Sequence, residues 1–435
     1  MKKYIYSIVA ATALFASCSQ DAELNEIGNT DPKAITTIGA STEISTRAVV
    51  SSADNTKVLW QDGDQLGVLG TNGSSKAKNL AYTLNSGSGS TSGTFTNGTS
   101  DITSISAIMY PYQENATWAN GKLTCEIPSV QKATVGSFDK AAAIMYSTGN
   151  TTNVQLKYAV NFLKVTVSET NVHAITISST TTALSGEMEI TSGGVAATSG
   201  SQRYVTLTAE DGKKMATGDY YIAVKAGDIE NPTISYVYYN DDHTATEKSK
   251  AGSGTLSFAE GKNVKLISVN FNNGSVTTRN AVQLWTDGPY FADRNVDASS
   301  AAETGTAMTF TDATKAGADY VWGANWCTPS KVQMDELLKA ATIAGSTMVE
   351  RNYSQEGSTY GFKFTGKETG YISNSVFFPA QDGNCNYGDA VYWSGTADDS
   401  QAWSMDLYYT YGTWDSVWFS YYQFSYSLVR PVLKN

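Results

Sequence analysis

Apolar residues along this chain recur at alternate positions in short runs. The series opens with Ile35-Thr-Thr-Ile-Gly-Ala-Ser-Thr-Glu-Ile44 and continues with Lys57-Val-Leu-Trp60, Gln65-Leu-Gly-Val-Leu69 and Ile105-Ser-Ala-Ile-Met-Tyr110. Alternation of this kind sets one face of a strand against a core, and the Asp and Gly residues between the runs supply turns. Val160-Asn-Phe-Leu-Lys-Val-Thr-Val167 predicts a strong strand. Near residue 170 the pattern restarts with His173–Ile177, Tyr204–Leu207, Tyr220–Val224, Ile234–Tyr239 and Val264–Phe271. Residues 86–101 are low in complexity and read as a loop or a long hairpin tip. Many short strands with regular turns predict β-sandwich modules, with a linker at Asn272-Asn-Gly-Ser275.

The period changes after Arg279. Ser330-Lys-Val-Gln333, just after Pro329, has the spacing of a capping box, and Val332, Met334, Leu337, Leu338 and Ala341 follow at helical intervals. Seven of the nine tryptophans fall in residues 280–435, which marks a separate domain there.

Composition narrows the function classes. Charged residues make up 16% and aromatics 11%, so polarity comes from Ser, Thr, Asn and Gly, which excludes coiled coils and long-helix arrays. The 30 basic residues are outnumbered by 41 acidic ones, which argues against a nucleic-acid partner. His173 and His243 are the two histidines, and no HExxH motif, multi-histidine zinc site or Ser-His-Asp set can be assembled from them.

Lys2 and Lys3, the apolar run Ile5–Phe15 and the small pair Ala16-Ser17 form a secretory signal. The run is too short for a transmembrane helix of ~20 residues. Cys18 directly after the small residues resembles a bacterial lipobox, with Phe15 where such boxes usually carry Leu or Val; the resemblance implies lipidation of Cys18, and a plain secretory signal is the alternative. Asp21, Glu23 and Glu26 then form an acidic stretch like the surface-export signal of some outer-membrane lipoproteins. Of the remaining cysteines, Cys327 and Cys385 are expected to form a disulfide, with Cys125 buried as a small hydrophobe; three free thiols is the other reading.

The front of the chain carries Ile44-Ser-Thr-Arg47-Ala48, Trp60-Gln-Asp-Gly-Asp64, Met109-Tyr-Pro-Tyr112, the strand Phe162–Val167 and Tyr220-Tyr-Ile-Ala-Val224. In this order, after a lipobox, they resemble the fimbrillin-like pilins over roughly residues 18–272. The resemblance implies two transthyretin-like β-sandwich subdomains, at 48–169 and 170–275, after a signal peptide (1–17) and a tether with a removable first strand (18–47). It also implies cleavage between Arg47 and Ala48 by an Arg-specific protease, removal of residues 35–46, and filling of the vacated groove by a strand from another pilin subunit. An ordinary exposed arginine in a hairpin is the competing reading of Arg47.

The back of the chain carries Trp326-Cys-Thr-Pro-Ser330, Tyr392-Trp393-Ser394-Gly-Thr396 and Val429-Arg430-Pro431-Val432. These resemble the C-type-lectin-like domain related to formylglycine-generating enzymes, over about residues 280–435, an α+β fold. The resemblance places ligand contacts in the span between Trp403 and Arg430, at Tyr408, Tyr409, Tyr411, Trp414, Trp418, Phe419, Tyr421 and Tyr422, with Asp398 and Asp399 in a neighbouring loop. Tyr and Trp suit recognition because they offer large contact area at small entropic cost. Alternation points Trp403 and Val417 inward, and a wholly buried β-meander is the competing reading. Trp414, Trp418 and Gln423 argue against free diversification by adenine mutagenesis, whose Asn-type codons do not reach Trp or Gln. Asp382, Asn384, Asn386 and Asp389 open like a calcium loop but lack its closing Glu, so an Asx-rich turn is favoured. The related enzymes need a close cysteine pair, whereas Cys327 and Cys385 are 58 residues apart and this domain holds no histidine, so no catalysis and no cofactor or metal are expected.

The expectation is therefore a mainly β surface lipoprotein of the outer membrane. It would serve as a fimbrial subunit, of tip type because no donor strand is evident, binding a host or microbial surface protein or glycan. The alternative is a binding lipoprotein that stays on Cys18 and never polymerises.

Overall fold

The computed structural model describes residues 33–42, 59–73, 77–210, 213–258, 264–267, 271, 275–341, 348–423 and 425–434. Cys18, Arg47 and Ala48 lie outside them. The chain is mainly β, as the alternation predicts. Among the described residues no helix is long and apolar enough to cross a membrane.

Seven strands form the front of the molecule. In ring order they are Thr37–Thr42, Asn153–Tyr158, Met145–Thr148, Ser104–Tyr110, Gln65–Thr71, Ala77–Ser86 and Ser92–Thr96. The alternation alone suggests two facing sheets, but the strand Thr37–Thr42 closes the ring into a barrel. It runs parallel to Asn153–Tyr158, with Gly39 opposite Asn153, and antiparallel to Ser92–Thr96, with Ile38 opposite Phe95. Ile38, Ala40 and Thr42 are buried, so this strand fills the core as well as the seam.

The Trp-x-x-Gly-Asp sequence forms a turn that hangs an indole into the barrel. Trp60 is fully buried and meets Phe95 and Tyr110 edge to face, at ring-centroid distances of 5.0 and 5.1 Å. Gly63 takes φ +86°, which a residue with a Cβ resists. The Asp64 carboxylate accepts from the Gln61 N–H at 2.8 Å and from the Tyr110 hydroxyl at 3.1 Å.

Among the described strands, pairing crosses the 169/170 line four times. Lys122–Ile127 pairs with Ser185–Thr191, and Val130–Lys132 runs parallel to Tyr204–Thr208. Leu123, Ile127 and Phe138 consequently share one core with Met188, Ile190 and Tyr221. In the second module Val160–Val167 lies between Gly218–Lys225 and Val264–Ile267, and its Leu163 and Val165 pack with Ile175, Ile177 and Val205.

The larger sheet of this module continues past the expected linker. Thr244–Ala251 pairs with Thr277–Val282, which pairs with Tyr290–Ala292. Tyr290–Ala292 pairs in turn with Val432–Leu433, and this last strand also pairs with Trp326–Cys327. One nine-stranded sheet thereby runs from the second module into the C-terminal domain. Glu247, 2% exposed, sits at the crossing and accepts from Trp326 Nε1 at 2.7 Å, Asn325 Nδ2 at 2.8 Å and Arg279 Nη1 at 3.2 Å.

The predicted helix forms over Lys331–Ala341. Its capping box is reciprocal: Ser330 Oγ accepts from the Gln333 N–H at 3.2 Å, and Gln333 Oε1 accepts from the Ser330 N–H at 2.9 Å. Met334, Leu337, Leu338 and Ala341 are buried as their spacing requires, whereas Val332 is exposed. A three-stranded sheet (Val349–Glu356, Thr359–Gly366, Ser375–Pro379) and a four-stranded one (Asp382–Asn384, Tyr387–Asp398, Gln401–Thr410, Thr413–Tyr422) complete the domain.

Candidate functional site

The residues that carry the back-domain pattern build the scaffold. Tyr392, Trp393 and Arg430 are fully buried. The Tyr392 hydroxyl accepts from Asn295 Nδ2 at 2.9 Å and donates to the Pro379 carbonyl, and Trp393 Nε1 donates to the Met308 carbonyl at 2.8 Å. Arg430 donates to the carbonyls of Ala292 and Phe377 and lies over the Phe378 ring. Thr396 Oγ1 accepts from the Lys331 N–H at 2.9 Å, which ties the sheet to the start of the helix.

On this scaffold the last hairpin has two distinct faces. Pairing sets Tyr392, Met405 and Trp418 in one rung, Ala390, Leu407 and Ser416 in the next, then Gly388, Tyr409 and Trp414. Met405 and Leu407 are in the core, so this face points inward. Trp418 belongs to it: the indole Nε1 donates to Asp335 Oδ1 at 2.7 Å, and Lys331 Nζ stands 4.4 Å above the ring. Tyr409 belongs to it as well, stacked on Tyr353 at 4.0 Å. Tyr353 in turn stacks on Tyr360 and donates to the carbonyls of Tyr387 and Asn384, and burial raises its phenol to about 12. Trp418 and Tyr409, both half-buried, therefore tie sheet to helix and sheet to sheet. Val417, expected inward, is exposed. The parity is set by Trp418 reaching the helix, a contact across 83 residues that alternation alone cannot see.

The outward face carries carboxylates where aromatics are expected. Its rungs are Asp389–Tyr408–Asp415 and Val391–Asp406–Val417. Tyr408 is half-buried among these acids, while Tyr411, at 81% exposed, stands free at the hairpin turn. Asp398 and Asp399 are exposed in the turn at the opposite end of Gln401–Thr410, where Ser420 Oγ donates to Asp398 Oδ2 at 3.4 Å. The side chains of Trp414, Phe419, Tyr421 and Tyr422 lie outside the described part, and their backbones pair with Tyr409, Ser404, Ala402 and Gln401. Of the ten expected contacts, Tyr408 and Tyr411 lie toward one end of Gln401–Thr410 and Asp398 and Asp399 at the other, all with exposed or half-exposed side chains.

Asp406 and Asp389 stand on adjacent strands, and Oδ1 of each is shielded from solvent without a hydrogen-bond partner. Burial, then the Asp389 carboxyl beside it, pushes Asp406 up to about 7. An ordinary aspartate titrates near ~3.9, so the unfolded chain releases this proton first and stability falls as pH rises from ~4 to about 7. Asp406→Asn is expected to match the wild type near pH 4 and to be the more stable protein at pH 8. Urea midpoints at the two pH values check this, and parallel midpoints would reject the upward shift of Asp406.

The expected disulfide is absent: Cys125, Cys327 and Cys385 are free thiols. Cys327 lies in the sheet beside Tyr320 and Lys434, whereas Cys385 is exposed at the tip of the Asp382–Asp389 hairpin near Tyr353. The two thiols therefore have separate neighbourhoods. Cys125 is buried, which raises its thiol to about 12. In the same hairpin Asn384 Oδ1 accepts from the N–H groups of Asn386 and Tyr387, the geometry of an Asx turn. Two features escape the sequence reading, the Asp389–Asp406 pair and the Tyr353 stack, because both depend on strand register. Comparisons with protein-family models, curated proteins and solved structures find no match to this chain.

Proposed function

We propose that this chain is a cell-surface fimbrial subunit that accepts a partner's strand at the barrel seam and binds its target through the C-terminal lectin-like domain. The observation that carries the reading is the strand Thr37–Thr42, the seventh strand, which converts an open six-stranded structure into a closed barrel. Its removal would bare one edge of Ser92–Thr96 and of Asn153–Leu156 and empty the core places of Ile38 and Ala40. A groove with unpaired backbone on both sides and apolar sockets between is what strand addition requires. Val432–Leu433, in contrast, is paired on both sides within its own domain. A lipidated Cys18 would hold the precursor at the outer membrane. The second reading is a surface lipoprotein that keeps its strand and never polymerises, and the closed barrel is the form it would retain.

The test is add-back of the strand. The other five arginines are buried or half-buried, so limited digestion with an Arg-specific protease is expected to cut after Arg47 alone. Once the released fragment is removed, a labelled peptide of residues 35–46 should bind the cut protein and neither the uncut chain nor Arg47→Ala. Cleavage elsewhere, or a cut protein that takes up no peptide, would remove the strand-acceptor reading.

A further inference from the structure

The two histidines, remote from each other in sequence, meet in one cleft. The cleft lies where the second module joins the C-terminal domain and encloses about 710 Å³. That volume lies inside the ~300–1,000 Å³ range of small-ligand pockets, which favour domain junctions. Its walls are ring stacks that bridge the two parts. His173 stacks on Tyr239 at 4.2 Å, and Tyr239 stacks on Tyr290 at 4.9 Å. His243 stacks on Tyr371 at 4.1 Å.

The cleft is preformed. Asn374 Nδ2 donates to the carbonyls of Asp242 and Gln283, at 2.9 and 3.0 Å, which clamps one loop from each side. Gln283 Nε2 donates to the Gly288 carbonyl at 2.7 Å and closes the loop that carries Asp287. His243 and Asp287 hold left-handed backbone at φ +58° and +61°. Strain of that kind is retained where surrounding contacts fix the chain.

The lining is amphipathic and acidic. Lys214 is the one lysine or arginine among its described lining residues and is paired to Asp241 at 2.6 Å. Asp287 stands exposed at the rim, Asp242 lies close to the Tyr290 phenol, and Glu368 accepts from Thr286 at 3.3 Å. Beyond the Lys214–Asp241 pair the described lining carries one further carboxylate, Asp287, and no unpaired lysine or arginine to hold a phosphate, sulfate or uronate group. Ring walls beside carboxylate and amide acceptors match a ligand with apolar C–H faces and hydroxyl edges.

We propose that this junction cleft binds a neutral, hydroxyl-rich saccharide, with Asp241 and Asp287 accepting from its hydroxyls. This site is separate from the last hairpin and from the barrel seam, so it stands whether or not Arg47 is cut. The test is saturation-transfer NMR on the full chain with methyl α-mannoside, methyl β-galactoside, lactose and maltose. N-Acetylneuraminic acid serves as the anionic control and putrescine as the cationic one. At least one neutral sugar should show transfer. Asp241→Asn combined with Asp287→Asn, both at exposed positions, should weaken its affinity tenfold or more, and Tyr411→Ala should leave it unchanged. Transfer from none of the neutral sugars, transfer to putrescine alone, or a sugar signal that survives the double variant and is lost in Tyr411→Ala would each overturn the proposal.

Discussion

Glu247→Ala is expected to cost about 3–5 kcal/mol of folding stability, because it strips the partner from a buried charge and leaves donors without an acceptor. The carboxylate is 2% exposed and takes hydrogen bonds from the Trp326 indole, the Asn325 amide and the Arg279 guanidinium. Asn325 is itself held by Thr176 Oγ1 at 2.5 Å, so the network reaches the middle of the second module. Arg279 lies over the Trp322 ring and would keep its charge in a half-buried place with no counter-ion at hand. The loss should fall on the connection between the modules, since the network sits where Thr244–Ala251 pairs with Thr277–Val282. Two measurements check this. The urea midpoint should drop sharply, and limited proteolysis should proceed faster than in the wild type. Glu247→Gln should fall between the two, because it keeps one acceptor oxygen and presents an amide donor where a donor already points. An unchanged midpoint would mean that the sheet pairing alone holds the domains together.

What could be read in advance follows from how local each cause is. The helix was legible because Ser330 and Gln333 cap it within one turn and Met334, Leu337 and Leu338 repeat at helical spacing. The Trp60–Asp64 turn was legible for the same reason. Most strands were visible as alternation. Their partners were not, since pairing joins residues far apart: Thr244–Ala251 meets Thr277–Val282 across the expected linker, and Lys122–Ile127 meets Ser185–Thr191 across the expected domain line. The face of the last hairpin was misread at Val417 because one residue of register exchanges the two faces of a strand. The irregularity between Trp393 and Ala397 adds a shift that alternation does not report. The junction cleft was hidden more deeply. His173 and His243 read as two isolated histidines, and only the return of the chain through Tyr239, Tyr290 and Tyr371 brings them together.

Ile38→Ala is expected to destabilise the uncut chain by about 2–5 kcal/mol, the usual cost of emptying a filled core site. Ile38 is fully buried and packs in the cluster that contains Trp60, Val68 and Phe95. Its strand is hydrogen-bonded on both sides, so the neighbours cannot close over the gap without breaking the ring. A strand that remains part of the mature protein would carry this penalty into every later state. A strand that leaves would carry it away. Once cleavage after Arg47 has released residues up to 47, the variant and the wild type are the same molecule and must share one midpoint. The experiment is therefore a pair of denaturation curves taken before and after digestion with the Arg-specific protease, with the fragment removed. Separate curves before digestion and coincident curves after it identify Thr37–Thr42 as the exchangeable seam of the barrel. Curves that stay apart after digestion would show the nicked strand still seated between Ser92–Thr96 and Asn153–Tyr158, leaving no groove for an incoming one.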